Sequence, residues 1–189
     1  MSMTAYHTTS STADLSRTRR ANTEAVTVPY LGASVPVGLA GASAVALFIL
    51  LLDALAGHPL GTPNALGASL LRGEAFDPTA PIRPALVFGY TLLHVATFIC
   101  VAAAAVSTEF TLSRSGASLS YQLAAVASGL VVGLQAVFLA LSLLLDIGWV
   151  GGIGFERIFA ANVIAALTMT ITVHLRGETR KMAADEQAR

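Results

Sequence analysis

Residues 44–52 read Ala44-Val45-Ala46-Leu47-Phe48-Ile49-Leu50-Leu51-Leu52, an unbroken apolar run that decides the fold class. The run lies within residues 31–52, a stretch without Asp, Glu, Lys or Arg. A helix needs about 20 apolar residues to cross a bilayer. A transmembrane β-strand would instead alternate apolar and polar residues over about 10 positions. The run therefore predicts a membrane-spanning helix.

Three further stretches share this character, because residues 84–108, 115–145 and 158–175 also carry no charge. Of the 189 residues, 54% are hydrophobic and only 12% are charged, against about 25% charged in a typical soluble domain. The sequence predicts an all-α membrane protein with a four-transmembrane-helix bundle. Spans are expected at about 30–56, 84–106, 121–145 and 154–175, with a disordered tail at 1–29 and a polar tail at 176–189.

The distribution of basic residues predicts the orientation. With four spans, both tails and the loop between the second and third spans share one side of the membrane. Three of the eleven Lys and Arg residues lie on the other side, and the remaining eight lie on the side of the tails. Because cytoplasmic loops carry an excess of Lys and Arg, both termini are expected in the cytoplasm. We expect a multi-pass protein of a bacterial inner membrane.

A loop of about 27 residues, 57–83, joins the first two spans and contains signals for a short helix. Thr62 is expected to cap this helix, Pro63 to occupy its first position and Gly73 to follow its last turn. Leu66 and Leu70 lie four residues apart on one face, so the helix is expected to be amphipathic and to lie on the outer membrane surface or over the bundle. It is interpreted either as a packed connector or as a lid or docking surface. The Pro-rich residues 77–84 predict a stiff, extended linker.

The segment Gly57-His58-Pro59-Leu60-Gly61-Thr62-Pro63-Asn64-Ala65-Leu66-Gly67, with Asp53 before it and Tyr90-Thr91-Leu92-Leu93-His94 after it, is the most distinctive part of the chain. It resembles a pattern in uncharacterised bacterial four-helix integral membrane proteins. The resemblance covers the first two spans only. It implies the four-span topology and carries no function that can be transferred.

Uncharged polar residues lie at mid-membrane depth, where such groups are costly and are candidates for function. At 1.5 Å per residue, His94 lies about 15 Å inside the second span and Gln135 roughly 16 Å inside the third. The second and third spans each carry a stripe of polar side chains, and the two stripes are expected to face each other. His94 and Gln135 would then share a hydrogen bond. The polar-core and ligand candidates are His94, Gln135, Asn162, Tyr90, Thr91 and Thr97.

Three interpretations of His94 stay open from the sequence. The imidazole either joins helices by hydrogen bonds, contributes to a ligand, quinone or proton site, or acts as an axial ligand of a cofactor. A haem held by two histidines needs both at one level, but His174 lies more than about 10 Å from the level of His94. His58 and His7 lie outside the spans. Haem bound by this chain alone is therefore disfavoured, whereas haem shared with a partner subunit is not.

A second polar cluster is expected at the outer membrane interface. Its members are Asp53, His58, Asp146, Glu156 and Arg157. Charges at an interface usually reach water or pair with one another. An ion pair of Arg157 with Asp53 or Asp146 would fix the helices, and the alternative is an entrance for a cation or proton.

Small residues indicate where helices approach closely, since apolar burial does not drive association within lipid. Gly38 and Gly41 lie in the first span, and Gly129 and Gly133 form a GxxxG pattern in the third. The pattern does not indicate whether the helix that packs against it belongs to this chain or to another subunit.

Composition excludes several classes of function. The net charge is zero, whereas a nucleic-acid-binding surface needs clustered basic residues, so no nucleic-acid partner is expected. The single cysteine, Cys100, allows neither an internal disulfide nor a cysteine zinc site. The sequence has no HExxH, GxSxG or phosphate-binding loop, so no catalytic residue and no metal site are assigned.

The function favoured by the sequence is that of a non-enzymatic integral membrane protein. Its expected role is an accessory or structural subunit of a larger membrane assembly, or a homo-oligomer, with the lipid bilayer and other membrane subunits as its partners. The first alternative is a small redox or quinone-interacting membrane protein that uses His94. The second is an oligomeric transporter or channel.

Overall fold

The computed structural model describes residues 12–144 and 152–187, which form five α-helices and no β-strand. The helices are α1 (Thr12–Leu55), α2 (Gly61–Arg72), α3 (Pro84–Arg114), α4 (Leu119–Leu144) and α5 (Phe155–Gln187). Segments long and apolar enough to cross a membrane are Gly32–Leu55, Pro84–Arg114, Leu119–Leu143 and Phe155–Thr179. The predicted all-α fold with four apolar spans and a short helix between the first two is confirmed.

Helices α1, α3 and α5 extend past the predicted spans. Helix α1 begins at Thr12 and includes residues 12–29, for which the sequence predicted a disordered tail. Its 44 residues correspond to a length of roughly 66 Å, about twice the hydrocarbon thickness of a bilayer.

The four long helices form a bundle in which α1 packs against α3 and α5, while α4 packs against α5 and α3. Helices α1 and α4 therefore lie diagonally opposite each other. Helix α2 packs on the beginning of α3. We call this side of the bundle the α2 end, and the side where α3 and α5 end the far end. Helix α5 is the most enclosed, with 44% of its most apolar window buried against 17% to 22% in the other three.

The distribution of side chains is that of a protein surrounded by lipid. Large apolar side chains point outward, with Val132 68% exposed and Leu47 66% exposed. The buried positions are rich in small residues, including Ala33, Ala102 and Ala165. Small side chains let helices approach closely, which is the main source of helix association in a membrane.

Gly38 marks a close approach between α1 and α3. A Cβ atom placed on Gly38 would lie 2.6 Å from the Cα atom of Ile99 on α3. One on Gly41 would lie 2.6 Å from the side chain of Met169 on α5. The predicted role of these two glycines in close packing is confirmed.

Gly129 and Gly133 differ from this pair. No atom lies within 4 Å of a Cβ placed on either residue, among the helices that the structure describes. The GxxxG pattern of α4 is therefore not used in packing against the described helices of this chain.

Helix α2 is capped by a residue of α1 rather than by its own side chains. Its first residue is Gly61 and its N-cap residue is Leu60, with no side-chain cap from α2 itself. Asp53, which is only 4% exposed, accepts hydrogen bonds from the backbone nitrogen of Thr62 at 2.7 Å and from its hydroxyl at 2.6 Å. The predicted roles of Thr62 as N-cap and of Pro63 as first residue were wrong. Gly73 closes the helix in the left-handed conformation, as predicted.

We expect the Asp53→Ala variant to lose about 1–3 kcal/mol of unfolding free energy, because it leaves two hydrogen-bond donors without their charged partner. Asp77 provides the matched control, since its carboxylate accepts the same two kinds of bond from Thr79 but is exposed to solvent. Asp77→Ala should therefore cost less than about 0.5 kcal/mol. Unfolding in mixed micelles, followed by circular dichroism, compares the two variants. Equal losses would contradict the capping role of Asp53.

The segment between α2 and α3 is fixed by two groups of contacts. Asn64 is fully buried and donates to the carbonyl of Pro81 at 3.3 Å while it accepts from the backbone nitrogen of Arg83 at 2.9 Å. The Arg83 guanidinium donates two hydrogen bonds to Glu74, at 2.9 and 2.5 Å. These bonds lower the pKa of Glu74 and raise the pKa of Arg83. The linker is therefore held against α2, so that α2 lies over the end of the bundle.

A candidate ligand cavity in the bundle

A cavity of about 440 Å³ lies inside the bundle, in the half that faces the α2 end. Helix α2 and the residue before it cover the cavity with Leu60, Pro63, Leu66 and Leu70. The opposite wall is formed by residues of the three packed helices α3, α4 and α5, including Phe98, Leu134 and Ala161. Pockets for small ligands typically measure about 300–1,000 Å³ and are lined mainly by apolar groups with a few polar ones. The cavity fits this description.

The cavity communicates with the lipid-facing surface of the bundle. Several of its lining residues are also exposed, among them Leu47 on α1 (66% exposed), Leu93 on α3 (46%) and Leu141 on α4 (37%). All three lie within the apolar spans.

His94 occupies the cavity wall and joins two helices. Its Nε2 atom lies 3.2 Å from the carbonyl oxygen of Ala42 on α1. Because a carbonyl can only accept, Nε2 carries the proton, and the lone pair of a neutral ring is then on Nδ1. The close approach of α1 and α3 at Gly38, one helical turn from Ala42, brings this carbonyl within reach.

Tyr90 lies one helical turn from His94 and presents the phenolic group of the cavity. Its hydroxyl lies 3.5 Å from Nδ1 of His94, well beyond the usual length of a strong hydrogen bond. The ring of His94 also lies between two aromatic rings, with centroids 5.6 Å from Tyr90 and 4.7 Å from Phe98. The Tyr90 hydroxyl therefore makes only a long hydrogen bond to Nδ1 of His94, and Tyr90 borders the cavity.

Asn162 and Gln135 form the second polar group near the cavity. The side-chain nitrogen of Asn162 on α5 donates to the side-chain oxygen of Gln135 on α4 at 2.8 Å. Asn162 lines the cavity directly. The structure thus pairs Gln135 with Asn162 rather than with His94, and His94 bonds to α1.

Thr91 and Thr97 line the cavity but add little polarity to it. Each hydroxyl donates to the carbonyl four residues earlier on α3, at 2.7 Å for Thr91 and 2.9 Å for Thr97. The polar stripe of α3, which consists of Tyr90, Thr91, His94 and Thr97, therefore borders the cavity. Tyr90 and His94 on α3 and Asn162 on α5 are the residues that bring polar side chains to it.

The cluster expected at the outer interface is only partly assembled. Asp53 uses its carboxylate to cap α2, and the backbone nitrogen of His58 donates to the Asp53 carbonyl at 3.1 Å. Glu156 and Arg157 lie in the first turn of α5 with exposed side chains. The predicted pair of Asp53 with Arg157 is replaced by the bonds to Thr62, and Asp146 lies outside the described residues.

The sequence did not indicate the aromatic walls of the cavity, notably Phe98 and Phe138. Phe98 lies four residues after His94, so the i, i+4 spacing was the signal available for it. Phe138 carried no such signal, because its position depends on how α4 packs, whereas the spacing of Leu66 and Leu70 indicated the apolar face of α2. Within the described part of the chain, no group of three or more His, Cys, Asp or Glu side chains is arranged to hold a metal ion.

Comparison of the chain with protein-family models, with curated proteins and with solved structures gives no significant match.

Proposed function

We propose that this protein is a non-enzymatic multi-pass membrane protein that binds a membrane-soluble ligand of the quinone type. The cavity of about 440 Å³, bordered by Tyr90, His94 and Asn162 and open to the lipid side of the bundle, is the observation that carries the proposal. A quinone combines a flat ring with carbonyl oxygens that accept hydrogen bonds. Its apolar tail can remain in the bilayer while the ring occupies the cavity.

The residues of the cavity have separate roles in this proposal. The Tyr90 hydroxyl donates to a ring carbonyl of the ligand. His94 is a positioning residue. Its hydrogen bond to the Ala42 carbonyl fixes the imidazole ring, and Tyr90 lies beside that ring. The aromatic side chains of Phe98 and Phe138 offer faces and edges against which a flat ring packs favourably.

A thermal-shift titration in lipid nanodiscs tests the proposal. A benzoquinone with a decyl chain should raise the unfolding temperature of the wild-type protein in a concentration-dependent way, because a ligand that binds the folded state stabilises it. Tyr90→Phe should weaken the apparent affinity by about tenfold, which corresponds to about 1.4 kcal/mol for one lost hydrogen bond. Tyr121→Phe is the control, since Tyr121 lies away from the cavity and is 60% exposed.

The same titration distinguishes a quinone from other lipids. A long-chain alcohol without a ring should produce no comparable shift. An equal shift from that alcohol, or an unchanged affinity of the Tyr90→Phe variant, would contradict the proposal.

A role as a subunit of a larger assembly or of a homo-oligomer is the second candidate. The outward-facing Gly129 and Gly133 of α4 support it, because such glycines allow close contact with a helix from another chain. The Gly133→Leu variant, reconstituted in vesicles, tests this by single-molecule photobleaching. Loss of the oligomer with a retained fold would support the contact, and an unchanged oligomer would contradict it.

We further propose that the protein lies in a bacterial inner membrane with both termini in the cytoplasm. The excess of Lys and Arg on the side of the termini supports this orientation. A green fluorescent protein fused to the C-terminus should fluoresce, whereas an alkaline phosphatase fused there should be inactive.

A further inference from the structure

A second, much smaller void lies at the far end of the bundle, where α3, α4 and α5 meet. Its volume is about 10 Å³. Four polar residues border it, one from α3, one from α4 and two from α5: Glu109, Gln122, Thr170 and His174. The rest of its wall is apolar, and its volume is close to the minimum that holds one water molecule.

Thr170 differs from the other threonines near it. Thr168 and Thr172 donate their hydroxyls to the carbonyls four residues earlier, at 2.8 and 2.7 Å. The hydroxyl oxygen of Thr170 is buried and has no hydrogen-bond partner, although the residue is only 7% exposed. Since buried polar groups in native proteins are nearly always paired, a partner for Thr170 is needed within the void.

The groups across the void belong to other helices. The carboxylate of Glu109 reaches toward α5, where its Oε1 atom lies 3.5 Å from the position of a Cβ on Gly177. The absence of a side chain at Gly177 leaves room for this carboxylate. On α4, the side-chain nitrogen of Gln122 donates to the carbonyl of Ala117 at 2.6 Å, which holds the amide beside the void.

We propose that this void binds a single water molecule that hydrogen-bonds to Thr170 and links it to Glu109 and Gln122. A buried water needs a space of at least about 10–15 Å³ and two to four polar partners. The void has this size, and Thr170, Glu109 and Gln122 come from three different helices. The water thus joins α3, α4 and α5 at the far end, independently of the ligand cavity.

The unfolding temperatures of Thr170 variants test the proposal. A bound water and a dry hydroxyl predict changes of opposite sign when the hydroxyl is removed. If water links Thr170 to the other helices, Thr170→Val removes the link and should lower the unfolding temperature by about 2–4 °C. Thr170→Ser keeps the hydroxyl and should be more stable than Thr170→Val. The control is Thr172→Val, which removes a hydroxyl bonded within its own helix and should change the temperature by less than about 1 °C.

A higher unfolding temperature for Thr170→Val than for Thr170→Ser would overturn the proposal. A dry, unpaired hydroxyl costs free energy, so its removal would stabilise the protein. A sodium ion is the other occupant that a carboxylate and neutral oxygens attract. Equal unfolding temperatures in sodium and choline chloride are therefore expected, and stabilisation specific to sodium would contradict a water site.

X-ray hydroxyl-radical footprinting of the wild-type protein provides a measurement that does not depend on the folding of variants. Radicals form from bound water on irradiation and label neighbouring side chains. Leu123, Val126 and Val173 border the void and should be labelled more strongly than buried Val37 and Leu130, which are of the same residue types and do not border it. Equal labelling of the two groups would overturn the proposal.

Discussion

Gly38→Val should destabilise the bundle strongly, with a loss of about 3 kcal/mol of unfolding free energy or more, at the upper end of the range for overpacked positions. The nearest atoms to a Cβ at this position are the Cα and nitrogen of Ile99 at 2.6 and 2.8 Å. Both belong to the backbone of α3, so no change of rotamer relieves the clash, and α1 and α3 must separate. Separation would also lengthen the bond between His94 and Ala42.

Two other glycines of α1 provide a graded comparison. Gly32→Val should have little effect, because no atom lies within 4 Å of a Cβ at that position. Gly41→Ala should be milder than Gly38→Ala, because the nearest atoms belong to the flexible side chain of Met169. Unfolding in mixed micelles by circular dichroism gives the order of the variants. A Gly38→Val variant as stable as Gly32→Val would show that α1 and α3 are not in close contact.

Filling the cavity should have the second largest effect, on ligand binding rather than on folding. Ala161 lines the cavity from α5 and is 4% exposed. A phenyl ring at this position would occupy part of the space needed by a quinone ring. We expect Ala161→Phe to weaken the binding of decyl-benzoquinone by at least tenfold, or about 1.4 kcal/mol.

The matched control is Ala96→Phe on α3, where the side chain is exposed and does not line the cavity. This variant should bind the quinone as the wild type does. Thermal-shift titrations of both variants in nanodiscs provide the comparison. Wild-type affinity in Ala161→Phe would mean that the quinone binds elsewhere on the protein.

The spans could be predicted from the sequence because the property that a bilayer requires of a helix is a property of consecutive residues. A helix that crosses the membrane needs an uncharged, apolar stretch of sufficient length, and residues 31–52 and 84–108 meet this condition. Gly38 was also recognisable, since a small residue in such a stretch predicts close packing.

The partners of the polar side chains could not be predicted in this way. His94 and Gln135 were expected at similar depth, but the rotation of each helix decides which neighbour a side chain meets, and His94 meets the backbone of α1. Every residue has a backbone carbonyl, so the sequence does not indicate which one accepts a hydrogen bond from His94. The cap of α2 was missed for a similar reason, because Asp53 belongs to the preceding helix and reaches Thr62 only when the intervening turn folds back.

Photoaffinity labelling in lipid nanodiscs tests the ligand cavity most directly. A benzoquinone that carries a photoreactive group should label the cavity-lining residues of α3 and α5, such as Tyr90, Phe98 and Asn162. An excess of unreactive decyl-benzoquinone should suppress that labelling, because both molecules compete for one site. Labelling spread evenly over lipid-facing residues such as Val132, which is 68% exposed, and unaffected by the competitor, would contradict a quinone-binding cavity.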